Sequence, residues 1–239
     1  MFQSISSSVV ESVVPTNLRG PNDEWVAIAK RSRVMYYNPL TVSADEMENL
    51  AYEHLSDAKW IGRIAIRSSG NMYNQSLVAS LISNNGVADT EAWAHRFVGN
   101  FARKPEGNDR AQIMAVANGE ADIAIANSYY IGLMLSGKKG DEQRAAARKV
   151  NLHFPSQAGR GAHINVSGIG LMKNSPNKAN AIKFIEFLLS DKAQEHIVNN
   201  TYEYPLSANV APSDLIAQFG TGFKDCLLYT SDAADDVHR

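Results

Sequence analysis

The chain has 239 residues, 44% of them hydrophobic, enough to bury a substantial core as one large domain or two small ones. Lys and Arg number 23 against 25 Asp and Glu, and the net charge of −2 gives no electrostatic reason to expect nucleic acid or an acidic membrane as a partner. No apolar run approaches the roughly 20 residues a bilayer demands, and the opening MFQSISSSVVESVVP carries neither a charged leader nor a long apolar segment, so no signal peptide is read in it.

In chain order, WVAIAKRSRVMYYNP from Trp25 reads as an extended segment ended by Pro39. Ser43 and Glu46 have capping-box spacing at the head of a helix over ADEMENLAYEH. KWIGRIAIRSS reads as a strand running into a loop at Ser68, Ser69 and Gly70. A helix follows over NQSLVASLISNNG, with Leu77, Val78, Leu81 and Ile82 on one face and Gly86 closing it, and then a second helix from about Thr90 to Phe101. DRAQIMAVANGEADIAIANSYY gives a helix stopping near Gly119, a short apolar strand, and the pair Tyr129 and Tyr130. This alternation predicts an α/β domain with a mainly parallel sheet. Such sheets bind ligands at the carboxyl ends of their strands, where Gly70 to Tyr73 and Asn127 to Tyr130 fall.

Past residue 150 a loop leads into a second long extended segment ending in GIGLMK. Two helices come next, the first with Pro176 near its start and the second capped at Ser190 or Asp191. The last stretch, CLLYTSDAADDVHR, fits no periodicity and resembles the translated read-through of a sequencing adapter, so residues 226–239 are set outside the fold. The rest of the chain has no cysteine, which removes thiolate metal sites and thiol nucleophiles.

Neighbouring residues on a strand point to opposite faces, so Tyr129 and Tyr130 converge on one ligand only if the chain turns at Asn127 and Ser128. The plainer reading leaves one in the core and one at the surface. A phenolate is a hard oxygen donor with an ordinary pKa near 10, so at neutral pH it needs a strongly charged Lewis acid, a description ferric iron fits. The second pair, Tyr36 and Tyr37, lies in the first extended segment, where alternation puts one inward and one outward in a structural role. His54, His95, His153, His163 and His196 read as surface or loop residues, and Glu120 and Asp122 as caps of the turn before the strand. Ser136 to Lys139 has the letters S-x-x-K but lies in a Gly/Lys loop without a partner motif.

The pieces WVAIAKRSRVMYYN, RSSGNMYNQSLVASLI, GEADIAIANSYYIG, NVSGIGLMKNSPNKANAIKFIEFLLSDKAQE and YEYPL, in that order, resemble the periplasmic ferric-iron solute-binding proteins of ABC importers, in the subgroup with three tyrosine ligands. The resemblance covers residues 9 to 220. It implies an α/β, type II periplasmic binding protein fold of two lobes joined by hinge strands, with the first lobe incomplete at its amino end. Residues 1–37 would be a remnant of that lobe and a hinge strand, 38–162 the second lobe, and 163–225 the return hinge strand and closing helices of the first. It implies that Tyr73, Tyr129 and Tyr130 bind Fe(III), with Asn127, Ser69 and Gly70 in an anion-binding or hydrogen-bonding shell and a synergistic anion such as carbonate. It also implies a monomer outside the cytoplasmic membrane that hands the ion to an ABC permease and is not an enzyme. The alternatives are a solute-binding protein for thiamine, a polyamine or an oxyanion and, further off, an enzyme on the same scaffold.

Overall fold

The computed structural model describes residues 1–226. A two-residue strand β1 (Phe2–Gln3) and helix α1 (Ser8–Val13) precede the long strand β2 (Trp25–Tyr37). Helix α2 (Ala44–Met47) has the expected capping box, with Ser43 and Glu46 each bonding back to the other's backbone. It runs only one turn, because Asn49 takes a left-handed conformation (φ 59°) and the chain continues in 3₁₀ turns at Tyr52–Ser56 and Ala58–Trp60.

Strand β3 (Ile64–Ala65) is followed by α3 (Met72–Asn85) and α4 (Val87–Gly99), which meet at Gly86. Its φ of 83° lies in the region glycine adopts without a steric cost. Then come α5 (Asp109–Ala117), β4 (Ile123–Asn127), α6 (Tyr129–Leu135), α7 (Asp141–Ala147), β5 (Asn151–His153) and β6 (Ile164–Met172). Helices α8 (Lys178–Leu188), α9 (Asp191–Thr201) and α10 (Asp214–Ala217) follow. The cap of α9 is Ser190, whose side chain accepts from the Ala193 amide.

The sheet order is β1-β6-β2-β4-β3, with β5 also against β2. Among the described strand pairs only β3–β4 is parallel, and β2 runs antiparallel to β4, β5 and β6. This corrects the mainly parallel sheet expected from the strand and helix order. The two long strands β2 and β6 pair directly, Trp25 to Ser32 against Gly170 to Ile164, so the chain's alternation of element types is spent on one parallel step from β3 to β4. The first half of β2 pairs with β6; the second half, Arg33 to Tyr37, lies between β4 and β5.

That second half is covered on both faces. Val34 and Tyr36 join Ala124 and Ala126 in one core with α5, α6 and α7, whereas Met35 and Tyr37 join Ile123 and Ile125 in another with α3 and α4, which is the two-residue period of a strand. Tyr36 and Tyr37 are therefore both buried, at 0% and 7% exposure, rather than one inward and one outward.

A third, smaller core joins Ile5, Val10 and Val14 to Val26, Leu171, Ile185 and Leu189. One face of α8 is thus covered by the first residues of the chain, while Phe184 and Phe187 remain more than half exposed. Cys226, set outside the fold in the sequence reading, is buried, and its amide donates to the Ala162 carbonyl at 2.8 Å. An apolar thiol in a covered position stabilises the fold as a small hydrophobe does. The rest of the tail expectation, residues 227–239, lies outside the described residues.

Candidate metal site

Because β3 and β4 are parallel, their carboxyl ends open on the same edge of the sheet, and so do the segments that leave them. From β3 the chain runs through residues 66–71 into α3, where Asn71 caps the helix by accepting from the Tyr73 amide at 3.0 Å and so fixes Tyr73 in the first turn. From β4 it turns at Ser128, already helical at φ −58° and ψ −37°, into α6. Tyr129 and Tyr130 are the first two residues of that helix. They share a side as strand neighbours cannot, with ring centroids 4.1 Å apart and planes 29° apart.

The turn is pinned from below. The Tyr36 hydroxyl donates to the carbonyls of Asn127 (3.0 Å) and Ser128 (3.2 Å), and Ser32 and Ser128 are joined twice, through Ser128 N–H to the Ser32 carbonyl and Ser32 N–H to Ser128 Oγ. Gly132 lets α6 lie flat on Tyr202, since a Cβ there would stand 2.7 Å from the Tyr202 Cβ.

The three phenols expected to act together are half-buried and adjacent. Burial, and then the phenols of Tyr130 and Tyr73 beside it, push Tyr129 well above the usual tyrosine range. Among the described residues no group of three or more His, Cys, Asp or Glu could hold a metal, and what this edge offers is phenol oxygens. Their chemistry suits a hard, highly charged cation that can displace phenolic protons.

Asn127 is fully buried behind the pair, accepting at Oδ1 from Arg33 (3.3 Å), while its Nδ2 has no partner. Ser69 and Gly70 stand on the exposed loop before α3, where the Gly70 amide donates to Ser68 Oγ; no hydrogen bond joins them to the phenols among the described residues. Glu120 and Asp122 point to Arg103 and Arg63, away from the site, as a solvated turn requires. Of the histidines expected at the surface or in loops, His163 does sit between strands but is 1% exposed, with Nε2 2.6 Å from Ser76 Oγ on α3. Burial, with Arg33 and Arg160 nearby, lowers its pKa to about 3, so it is neutral at physiological pH.

A cationic layer against Tyr73 escaped the sequence reading. The guanidinium groups of Arg31, Arg67 and Arg33 lie 5.4, 5.9 and 6.0 Å from the centre of the Tyr73 ring. Arg33 is wholly buried, paired with the wholly buried Asp109 at 2.6 Å and bonded to Asn74 at 2.7 Å. Asp109 also takes Arg67 at 3.1 Å and the Asn127 amide at 2.8 Å. Arg31 pairs with Glu203 at 2.8 Å. The available signal was KRSR between the apolar ends of one strand, since buried charges must find partners.

Known proteins agree with this architecture. A family model described as bacterial extracellular solute-binding protein matches residues 1–218. Iron uptake protein A1 of Synechocystis sp. is 50% identical over 220 residues, which are 92% of this chain and 60% of that protein. The major ferric iron-binding protein of Neisseria meningitidis serogroup A is 31% identical over 187 residues, 78% of this chain and 54% of its own length. The chain thus spans a little over half the length of these curated relatives.

Among solved structures, a Trichodesmium protein in complex with iron and citrate superposes with a TM-score of 0.93 at 47% identity, over 98% of this chain and 73% of that one. The ferric binding protein from Campylobacter jejuni gives 0.90 at 37% identity, over 99% and 74%. The fold is that of type II periplasmic binding proteins. With its matched region running nearly from end to end, this chain belongs to the bacterial extracellular solute-binding protein family.

Proposed function

We propose that this chain captures Fe(III) outside the cytoplasmic membrane, through the phenolate oxygens of Tyr73, Tyr129 and Tyr130, and delivers it to an ABC permease. The observation that carries the reading is the convergence of three half-buried phenols at one sheet edge, with Tyr129 in contact with both others. The names of similar proteins, an iron uptake protein and ferric iron-binding proteins, support the choice of ion. The chain acts as a monomeric carrier in the periplasm and no bond of the solute is made or broken. Residues 38–162 form the ion-bearing lobe, the strand segments 26–37 and 163–172 the hinge crossings, and the helices after residue 172 part of a first lobe.

Three phenolates balance the charge of a ferric ion and leave coordination positions open to water or an anion such as carbonate. In this reading the buried Asn127 supports the pair from behind, and the exposed Ser69 and Gly70 contact the anion. Because Tyr129 holds its proton at neutral pH, loading releases that proton, and affinity rises as pH rises. Titration with ferric citrate should produce a visible phenolate-to-iron charge-transfer band that the Tyr129→Phe, Tyr130→Phe double variant lacks. A colourless complex, or a band that survives in the double variant, would sink the assignment.

A further inference from the structure

A cavity of about 360 Å³ opens between α3, α4 and the loop leaving β3, beside the tyrosine edge rather than in it. Its walls are apolar: Leu77, Trp93, Phe97 and Phe101 line it. The aromatic rings are contiguous, with Trp93 and Phe97 stacked at 4.6 Å between centroids and 16° between planes, and Phe101 edge-on to Phe97 at 5.0 Å. The Trp93 indole N–H is already spent on the Tyr52 carbonyl, so it offers the cavity an aromatic surface and no donor. An apolar space of this size is poorly suited to water, and leaving it empty forfeits the contacts that close-packed interiors make.

One end of the cavity is polar and cationic. Arg67 lines it together with the exposed Ser68 and Ser69. Arg67 and Arg33 share the single carboxylate of Asp109, so the pair of guanidinium groups carries one positive charge that Asp109 does not balance. The buried Nε of Arg67 has no hydrogen-bond partner.

We infer that this cavity is a second ligand site, taking an aromatic monocarboxylate whose ring packs against Trp93, Phe97 and Phe101 and whose carboxylate meets Arg67 and Ser68. The ring supplies edge-to-face and stacked contacts, and the carboxylate balances the unmatched guanidinium charge with a charge-assisted hydrogen bond. The site requires no metal, so it stands or falls independently of the iron reading.

The test uses the full iron-free chain and calorimetric titration with benzoate and with its neutral counterpart benzamide. Benzoate is expected to bind saturably at millimolar concentration or tighter, and benzamide about tenfold more weakly or worse, the factor a charged hydrogen bond contributes. Ala94→Leu, which fills the cavity from α4, should weaken benzoate at least tenfold while the charge-transfer band of the iron-loaded protein is kept. Arg67→Met should make benzoate and benzamide equivalent. Non-saturable uptake of benzoate, equal affinity for benzamide in the unaltered chain, or unchanged benzoate affinity in Ala94→Leu would each overturn the proposal.

Discussion

The two halves of β2 have the same backbone form and different surroundings. From Arg33 to Tyr37 the strand has neighbours on both edges and a packed core on each face, and every residue is buried. From Trp25 to Ser32 it pairs with β6 over a small core whose outer helix still shows Phe184 and Phe187 to solvent. The tyrosine edge hangs from the first kind of surrounding. Tyr36 pins its turn and Arg33 supplies its wholly buried cation from that doubly covered half, with Ser32 and Arg31 adding a bond and a charge from just across the boundary. The lesson is that close covering near the candidate site and looser covering away from it are divided along a single strand.

The sharpest way to break that division is to remove the charge that ties it together. Asp109→Ala leaves Arg33 buried without its counter-ion, and a loss of about 3–5 kcal/mol is expected in urea unfolding, the range for severing one partner of a buried pair. A loss below about 1 kcal/mol would mean that water reaches Arg33 and that the half-strand is not the anchor described. A milder break uses pH. His163 titrates near 3 when folded but near 6.5 when unfolded, so the unfolded chain takes up the proton first and stability falls as pH drops from about 6.5 toward 3. At pH 5 the cost from this one group is about 2 kcal/mol. His153, also lowered by burial, acts in the same direction. Melting temperature followed against pH should therefore fall less steeply in His163→Gln, and identical slopes would count against the buried neutral imidazole.

The smallest effect is expected at the other half. Phe184→Ser with Phe187→Ser should change stability by about 0.5 kcal/mol or less while reducing self-association in sedimentation, because both rings already face solvent.

Local chemistry was readable in the sequence where it acts over a few residues. The Ser43 capping box, the glycine at the end of α3, the helix from Asp109 and the strand ending at Asn127 are all written in spacing that needs no distant partner. Tyr73, Tyr129 and Tyr130 were legible as a group through resemblance, and the parallel step from β3 to β4 accounts for their nearness. Strand direction was not legible, because antiparallel pairing of β2 with β4 and β6 depends on segments about 90 and 130 residues away, and each strand taken alone reads the same in either direction. Nor was the arginine layer: Arg33 looks like an ordinary strand charge until Asp109 and Asn74 are brought to it.

The seat of α6 carries a consequence for the order of assembly. Gly132 rests on Tyr202, and Ile216 packs against the same place, yet both lie far downstream of the helix they support. During synthesis the tyrosine pair leaves the ribosome well before the residues that hold its helix down, and domains generally build from the amino end as the chain emerges. The tyrosine edge is thus completed late, and a chain interrupted between α6 and α9 would display the phenols on a helix lacking its Tyr202 and Ile216 seat.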